Sequence, residues 1–143
     1  MTMTERAMIA AIHSPWKKRQ SKPHHQSMTG ASMTYAGTPD QYYEGMYGNA
    51  FCEYKFCKFR KLPKSIDVGK LLTTKQKKWL ARAHINGVKC VVGVGFKHSN
   101  NKIYLVYLEY PVAWEGKIDT ADESWLTTTE AGDYIIATVG VSR

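Results

Sequence analysis

With 143 residues, 43% of them hydrophobic and 22% charged, the chain holds material for one globular domain and falls outside the disordered range. No run approaches the roughly 18 apolar residues of a membrane span, and Met1 to Ile12 is too polar for a secretory signal, so a soluble cytoplasmic protein without membrane contact is expected. The net charge of +8 is uneven: residues 1–108 carry 18 of the 20 Lys/Arg and five carboxylates, which suits a polyanionic partner and equally a merely soluble basic surface.

Thr4 to His13 has apolar residues at Ala7, Met8, Ala11 and Ile12, a helical spacing with Thr4 as N-cap, and Ser14-Pro15 ends it. Trp16 to Gln26 is basic and proline-interrupted and reads as a loop. Its adjacent His24 and His25 are then loop residues rather than metal ligands. Ser27 to Gly37 holds at most a short strand. Pro39 to Glu44 and Ala50 to Phe56 are two strands joined by the glycine-bearing stretch 45–49, a hairpin. Lys58 to Lys70 reads as a basic loop. Thr73 to Asn86 is a helix, capped by Thr73 or Thr74 and stopped by Gly87. Its Gln76, Trp79, Leu80 and Ala83 share one face, and Lys75, Lys78 and Arg82 lie largely on the other.

Val88 to Phe96 and Lys102 to Tyr110 follow as strands joined by a turn at 98–101. Residues 114–124 read as an acidic loop, and Thr127 to Val139 as a last helix or strand. The order predicts one α/β domain with a mixed central sheet flanked by helices. It divides into an N-terminal helix and basic segment (1–26), a core (37–96) and an acidic C-terminal segment (111–143). Cys52, Cys57 and Cys90 lack CxxC spacing, so buried free thiols are expected rather than a zinc site.

Glu53 and Lys55 stand two apart on a strand and so project from one face. An ionised carboxylate and an ammonium do not bury cheaply there unless paired or bound to a metal. Asp40 opens the partner strand, and hairpin geometry can bring it beside Glu53. Two carboxylates so placed can share a hard divalent cation such as Mg²⁺, with Mn²⁺ as substitute; the backbone carbonyl of Tyr54 offers another oxygen. Lys55 would orient or deprotonate a water, or neutralise charge developing on a phosphate. By spacing alone a surface Glu–Lys pair accounts for the triplet as well. The setting favours the chemistry: the hairpin is followed by a basic loop bearing Lys58, Arg60 and Lys61, then by the helix bearing Lys75, Lys78 and Arg82, all candidate nucleic-acid contacts.

Gly37-Thr38-Pro39-Asp40, then Cys52-Glu53-Tyr54-Lys55, then Thr73-Thr74-Lys75-Gln76-Lys77-Lys78-Trp79-Leu80, then Gly87 and an apolar strand resemble the PD-(D/E)xK nuclease superfamily. The pattern is most similar to the VRR-NUC group of phage and repair nucleases. The resemblance implies a restriction-endonuclease-like fold, Asp40 and Glu53 as metal ligands, Lys55 as the catalytic lysine and Gln76 approaching the site. It extends to Glu5 as the family's first acidic residue, although Glu5 also suits the first turn of its helix. Small stand-alone members resemble homodimeric enzymes of branched DNA such as Holliday junctions, which implies a DNA partner read through backbone shape. Val88 to Phe96 or Lys102 to Tyr110, at a sheet edge, would supply the dimer surface.

Rival functions use the same sequence: a non-catalytic nucleic-acid-binding protein, and a nuclease acting on RNA or a protein-binding module that reuses the fold. A pure binder has no need of carboxylates in a basic groove. Asp119, Asp122 and Glu123 form a second acidic group without a lysine partner and read as solvated surface.

Overall fold

Met8, Ile9 and Ile12 bury one stripe of α1 (Met3–His13), and a 3₁₀ turn over Ser14–Trp16 then drives the Trp16 ring into the same core. In the computed structural model, residues 3–28 and 37–142 are described. After α1 come β1 (His24–Ser27), β2 (Gln41–Gly45), β3 (Gly48–Cys57), β4 (Ser65–Asp67), α2 (Val68–Leu71) and α3 (Thr74–Ile85). The chain continues through β5 (Cys90–Lys97), β6 (Ile103–Leu108), α4 (Pro111–Glu115), β7 (Lys117–Asp119), β8 (Leu126–Thr127) and α5 (Thr128–Val139).

Six strands form one mixed sheet in the order β1-β2-β3-β5-β6-β8, with β3 and β5 parallel and the other pairs antiparallel; β4 and β7 form a separate ribbon. The expected mixed sheet flanked by helices is therefore present. Strand β5 is buried over Cys90–Phe96 because it has a neighbour on each side and cover on each face. Alternation along β3 divides the core. Cys52 and Tyr54 join Met8, Trp16, Ile135 and Val139 of the α1–α5 side, and Cys57 joins Val68, Leu80, Val92 and Trp114 of the α3–α4 side. The three cysteines are free and buried.

Gly93 shows how closely the central strands meet their cover. A Cβ there would stand 2.8 Å from the Tyr54 ring, so the missing side chain is what lets that ring lie over β5.

Several expectations need correction. The segment Trp16–Gln26 is not simply a loop: it begins in the 3₁₀ turn, and His24 and His25 enter an edge strand whose residues are all exposed. The hairpin turn is shorter than foreseen, because Gly45 pairs with Gly48 and leaves only Met46 and Tyr47 between the strands. Thr4 lies inside α1 rather than capping it. Within 58–70 the chain forms β4 and α2, and within 111–124 it forms α4 and β7, the two strands held together around Ile66 and Ile118. Most of 27–37 lies outside the described residues. Val88 to Phe96 cannot be a dimer-forming edge, since β5 is interior to the sheet. Among the described residues no helix is long and apolar enough to cross a membrane.

Substituting Gly93 with Val is expected to lower stability by about 1–3 kcal/mol, because the added carbons collide with the Tyr54 ring. Urea denaturation measures it; an unchanged midpoint would show that Tyr54 can shift at no cost.

Candidate active site

Strand register assembles the centre of the site. The β2–β3 ladder runs to Gln41 opposite Cys52, so one step further Asp40 stands opposite Glu53. Asp40 is fixed by its backbone neighbour across the strands: the Tyr54 N–H donates to its Oδ2 at 3.1 Å. A carboxylate taking that bond satisfies an amide left over where β2 has ended. Glu53 is 1% exposed and Asp40 7%, while Lys55, two residues along the same face, is half-buried.

Gln76 arrives from the first turn of α3, and its position follows from a capping box. Thr73 Oγ1 accepts from the Gln76 N–H at 3.1 Å, and Gln76 Oε1 accepts from the Thr73 N–H at 2.9 Å. With its carbonyl oxygen so occupied, the side-chain amide is turned outward, and Nε2 donates to Glu53 Oε1 at 2.9 Å. Gly37 holds the approach to Asp40 against the same helix. Its φ is +88°, and a Cβ would stand 2.3 Å from the Lys75 carbonyl oxygen, so no other residue fits there unstrained.

The other Glu53 oxygen, Oε2, is buried and has no hydrogen-bond partner. Burial first, then the charge of Asp40 beside it, push the Glu53 carboxyl up to about 9; Lys55 acts in the opposite sense and Glu5 adds to the rise. Glu5 is also felt at Cys57, whose thiol is pushed up to about 11 chiefly by burial. The half-buried Glu5 in the first turn of α1 is thus electrostatically coupled to the Glu53-bearing face of β3. Tyr54 is fully buried; its ring side points away from the carboxylates, where its hydroxyl bonds those of Tyr43 and Tyr107, each at 2.8 Å.

An orphaned buried carboxylate oxygen beside a second carboxylate fits a hard divalent cation. Among the described residues no group of three or more His, Cys, Asp or Glu is arranged to hold a metal ion. Asp40 and Glu53 are a smaller set than such a group; Mg²⁺, which keeps waters and takes oxygens from phosphate, is commonly held by one or two carboxylates.

Comparison with solved structures finds a match over 94% of this chain and 99% of the other, with a TM-score of 0.53 and 14% identity. That chain is Hjc, a Holliday junction resolvase from the archaeal hyperthermophile Archaeoglobus fulgidus. The fold is restriction-endonuclease-like. No protein-family model matches the sequence, and no curated protein matches it. A restriction-endonuclease-like sheet with its hairpin carrying Asp40, Glu53 and Lys55 is thus reached at an identity where only the architecture is shared.

The remaining sequence candidates lie outside that cluster. Lys58, Arg60 and Lys61 are exposed where the chain leaves β3, and Lys75, Lys78 and Arg82 are exposed along α3. Sequence reasoning did not include Lys97 and His98, which line the same hollow as Lys58 and Arg60. No local signal marks them, because they are brought there only by the parallel pairing of β5 with β3. The double use of Gln76 was also unforeseen, although Thr73-x-x-Gln76 is a capping-box spacing.

The raised Glu53 carboxyl has a sign that can be tested. Between its ordinary value near 4.5 and about 9, the folded protein retains a proton that the unfolded chain releases, so this residue's contribution to stability falls as pH rises through that window. Glu53→Gln removes the titration and lets the new amide donate toward Asp40. Its melting temperature, measured without divalent cations, should match wild type near pH 4.5 and exceed it increasingly toward pH 9. A pH-independent difference would show that Glu53 is not held protonated.

Proposed function

We propose that the chain is a divalent-cation-dependent DNA endonuclease of the PD-(D/E)xK type, similar to the VRR-NUC group of phage and repair nucleases and acting on branched DNA such as junctions. The observation that carries this reading is the buried, unpartnered Glu53 Oε2 opposite Asp40, on the strand that also bears Lys55. A purely binding protein gains nothing from two carboxylates in a basic chain. They cost desolvation and repel phosphate, and a cation relieves both.

In this reading Asp40 and Glu53 hold Mg²⁺ or Mn²⁺, with the Tyr54 carbonyl as a further oxygen and Glu5 as a more distant acidic contributor. The cation supplies charge neutralisation at the scissile phosphate and activation of water when bound. Gln76 holds Glu53 Oε1 in place so that Oε2 stays directed into the site. The Tyr54 N–H orients Asp40 by donating to Oδ2. Lys55 brings an ammonium to the same face, where it orients the attacking water or stabilises charge developing on the phosphate oxygens. Lys58, Arg60, Lys61, Lys75, Lys78 and Arg82 supply cations for the backbone on either side, reading shape rather than bases. A homodimer would present two such sites to the two strands of a junction.

Two measurements test this. With wild type on linear, single-stranded, flapped and four-way-junction DNA, cleavage should require Mg²⁺ or Mn²⁺ and be strongest on branched substrates. Glu53→Ala should abolish it, and Lys55→Ala should lower the rate by about two orders of magnitude or more. Binding to every substrate without cleavage would establish the non-catalytic reading instead, and cleavage of RNA alone would establish the ribonuclease. Separately, because the free Glu53 carboxyl titrates near 9, Mg²⁺ binding at pH 7.5 should release about one proton. Calorimetry in buffers of different ionisation enthalpy reads this directly. Affinity should rise with pH up to about 9, and Glu53→Gln should lose both the binding and the release.

A further inference from the structure

Past Lys55, along the axis of β3, the sheet ends in a hollow. It lies outside the carboxyl ends of β3 and β5, the parallel pair, and Cys57 at its edge is four strand residues, about 13 Å, from Glu53. Two adjoining cavities of about 500 and 420 Å³ share Phe59, Arg60, Lys97 and His98 between them. Thr4, the neighbour of Glu5 in α1, lines the larger one, so the hollow and the carboxylate site border the same helical turn.

The lining combines two chemistries. Phe59, half-buried and packed against the α3–α4 core, and the exposed His98 each bring an aromatic ring to the lining. Lys58, Arg60 and Lys97 are exposed around them. A bare phosphate would need the cations alone, and a buried hydrophobe would need the ring alone. Ring and cations together match a nucleotide, whose base has a π-face and whose phosphates are anionic. A base paired inside a duplex has both faces stacked, whereas an unpaired one is free to lie on Phe59.

We propose that this hollow seats an unpaired nucleotide of the DNA strand that runs into the Asp40–Glu53 site, its base on Phe59 and its phosphates on Lys58, Arg60 and Lys97. The assignment rests on the nuclease reading for which strand is bound, and it narrows the substrate to DNA with an unpaired residue beside the cleavage point, as at a flap or a splayed junction arm.

The test is fluorescence anisotropy in EDTA, comparing a blunt duplex with the same duplex carrying a short single-stranded overhang of either polarity. Wild type should bind at least one overhang about tenfold more tightly than the blunt end, and replacing the overhang bases by abasic residues should erase the difference. Phe59→Ala should erase it too. Lys97→Glu, at an exposed position where folding is not at stake, should weaken the overhang complex about tenfold more than the blunt one. Equal affinity of wild type for both ends, or equal losses on both, overturns the subsite. Cleavage of the same DNAs in Mg²⁺ separates the two claims: overhang preference without cleavage sustains the subsite and sinks the nuclease, and cleavage without overhang preference does the reverse.

Discussion

Glu53 occupies a position in the middle of a sheet where a strand ordinarily carries valine or isoleucine. Its register partner on the adjacent β5, Val92, is of that kind, as is Val94 two residues on. Removing a carboxylate from water at such a place costs several kcal/mol unless it is neutralised or partnered, and Asp40 opposite makes the cost larger. Much of the surrounding structure acts on this one residue. The Tyr54 amide fixes Asp40, the capping box of α3 aims the Gln76 amide at Glu53, and Lys55 brings the compensating charge along the same face. Gly37 lets the chain before Asp40 lie against the carbonyl of Lys75, which ties the approach to the helix that carries Gln76.

The reverse face of β3 explains why this arrangement can be rigid. Tyr54 alternates with Glu53 and points into the α1–α5 core, where hydroxyls join His13, Tyr43, Tyr54 and Tyr107 in an unbroken series of 2.8 Å contacts. His13 at its end is depressed to about 3 by burial and then by the neighbouring His25, so the series ends on a neutral ring. Each buried hydroxyl has its partner, and burial keeps the phenols protonated by pushing their titration well upward. Tyr54 is therefore held by its ring on one side of the sheet while its N–H holds Asp40 at the edge of the other. A shift of β3 along its axis would break both sets at once.

How much of this the sequence disclosed depends on the range of the interaction that makes it. The pairing of Glu53 with Lys55 follows from the two-residue strand period, and the approach of Asp40 from a hairpin, so both were legible. The helix over 74–85 was legible from its caps and its apolar stripe. His24–Ser27 was not, because an edge strand exposed at every position has no hydropathy alternation to read. The β4–β7 ribbon was hidden for a related reason: each strand is three residues long and contributes a single buried isoleucine. The tyrosine series was invisible because its members are separated by up to 53 residues and meet only through sheet order. Lys97 and His98 escaped notice in the same way, being placed by the parallel register of β5 on β3.

The acidic C-terminal segment gives the contrast that sets Glu53 apart. There Glu109, Asp119 and Glu130 are engaged in local structure. Glu130 closes the capping box of α5 with Thr127, and Asp119 accepts the Ala121 N–H at 3.0 Å. Glu109 takes the Tyr134 hydroxyl and pairs with Lys89 at 3.6 Å. Asp67, in the basic part, caps α2 by accepting the Lys70 N–H. Each lies at least partly in water, where a carboxylate bound to a backbone amide or a surface ammonium needs no further ligand. Glu53 differs in both respects: it is shut from solvent, and one of its oxygens accepts from nothing. A carboxylate that folds a protein is recognised by the donors it has found. Among the described residues two buried acceptors are left over, Gln41 Oε1 and Glu53 Oε2, and of these the Glu53 oxygen is the one that belongs to an acid and stands where Asp40, Lys55 and Gln76 converge.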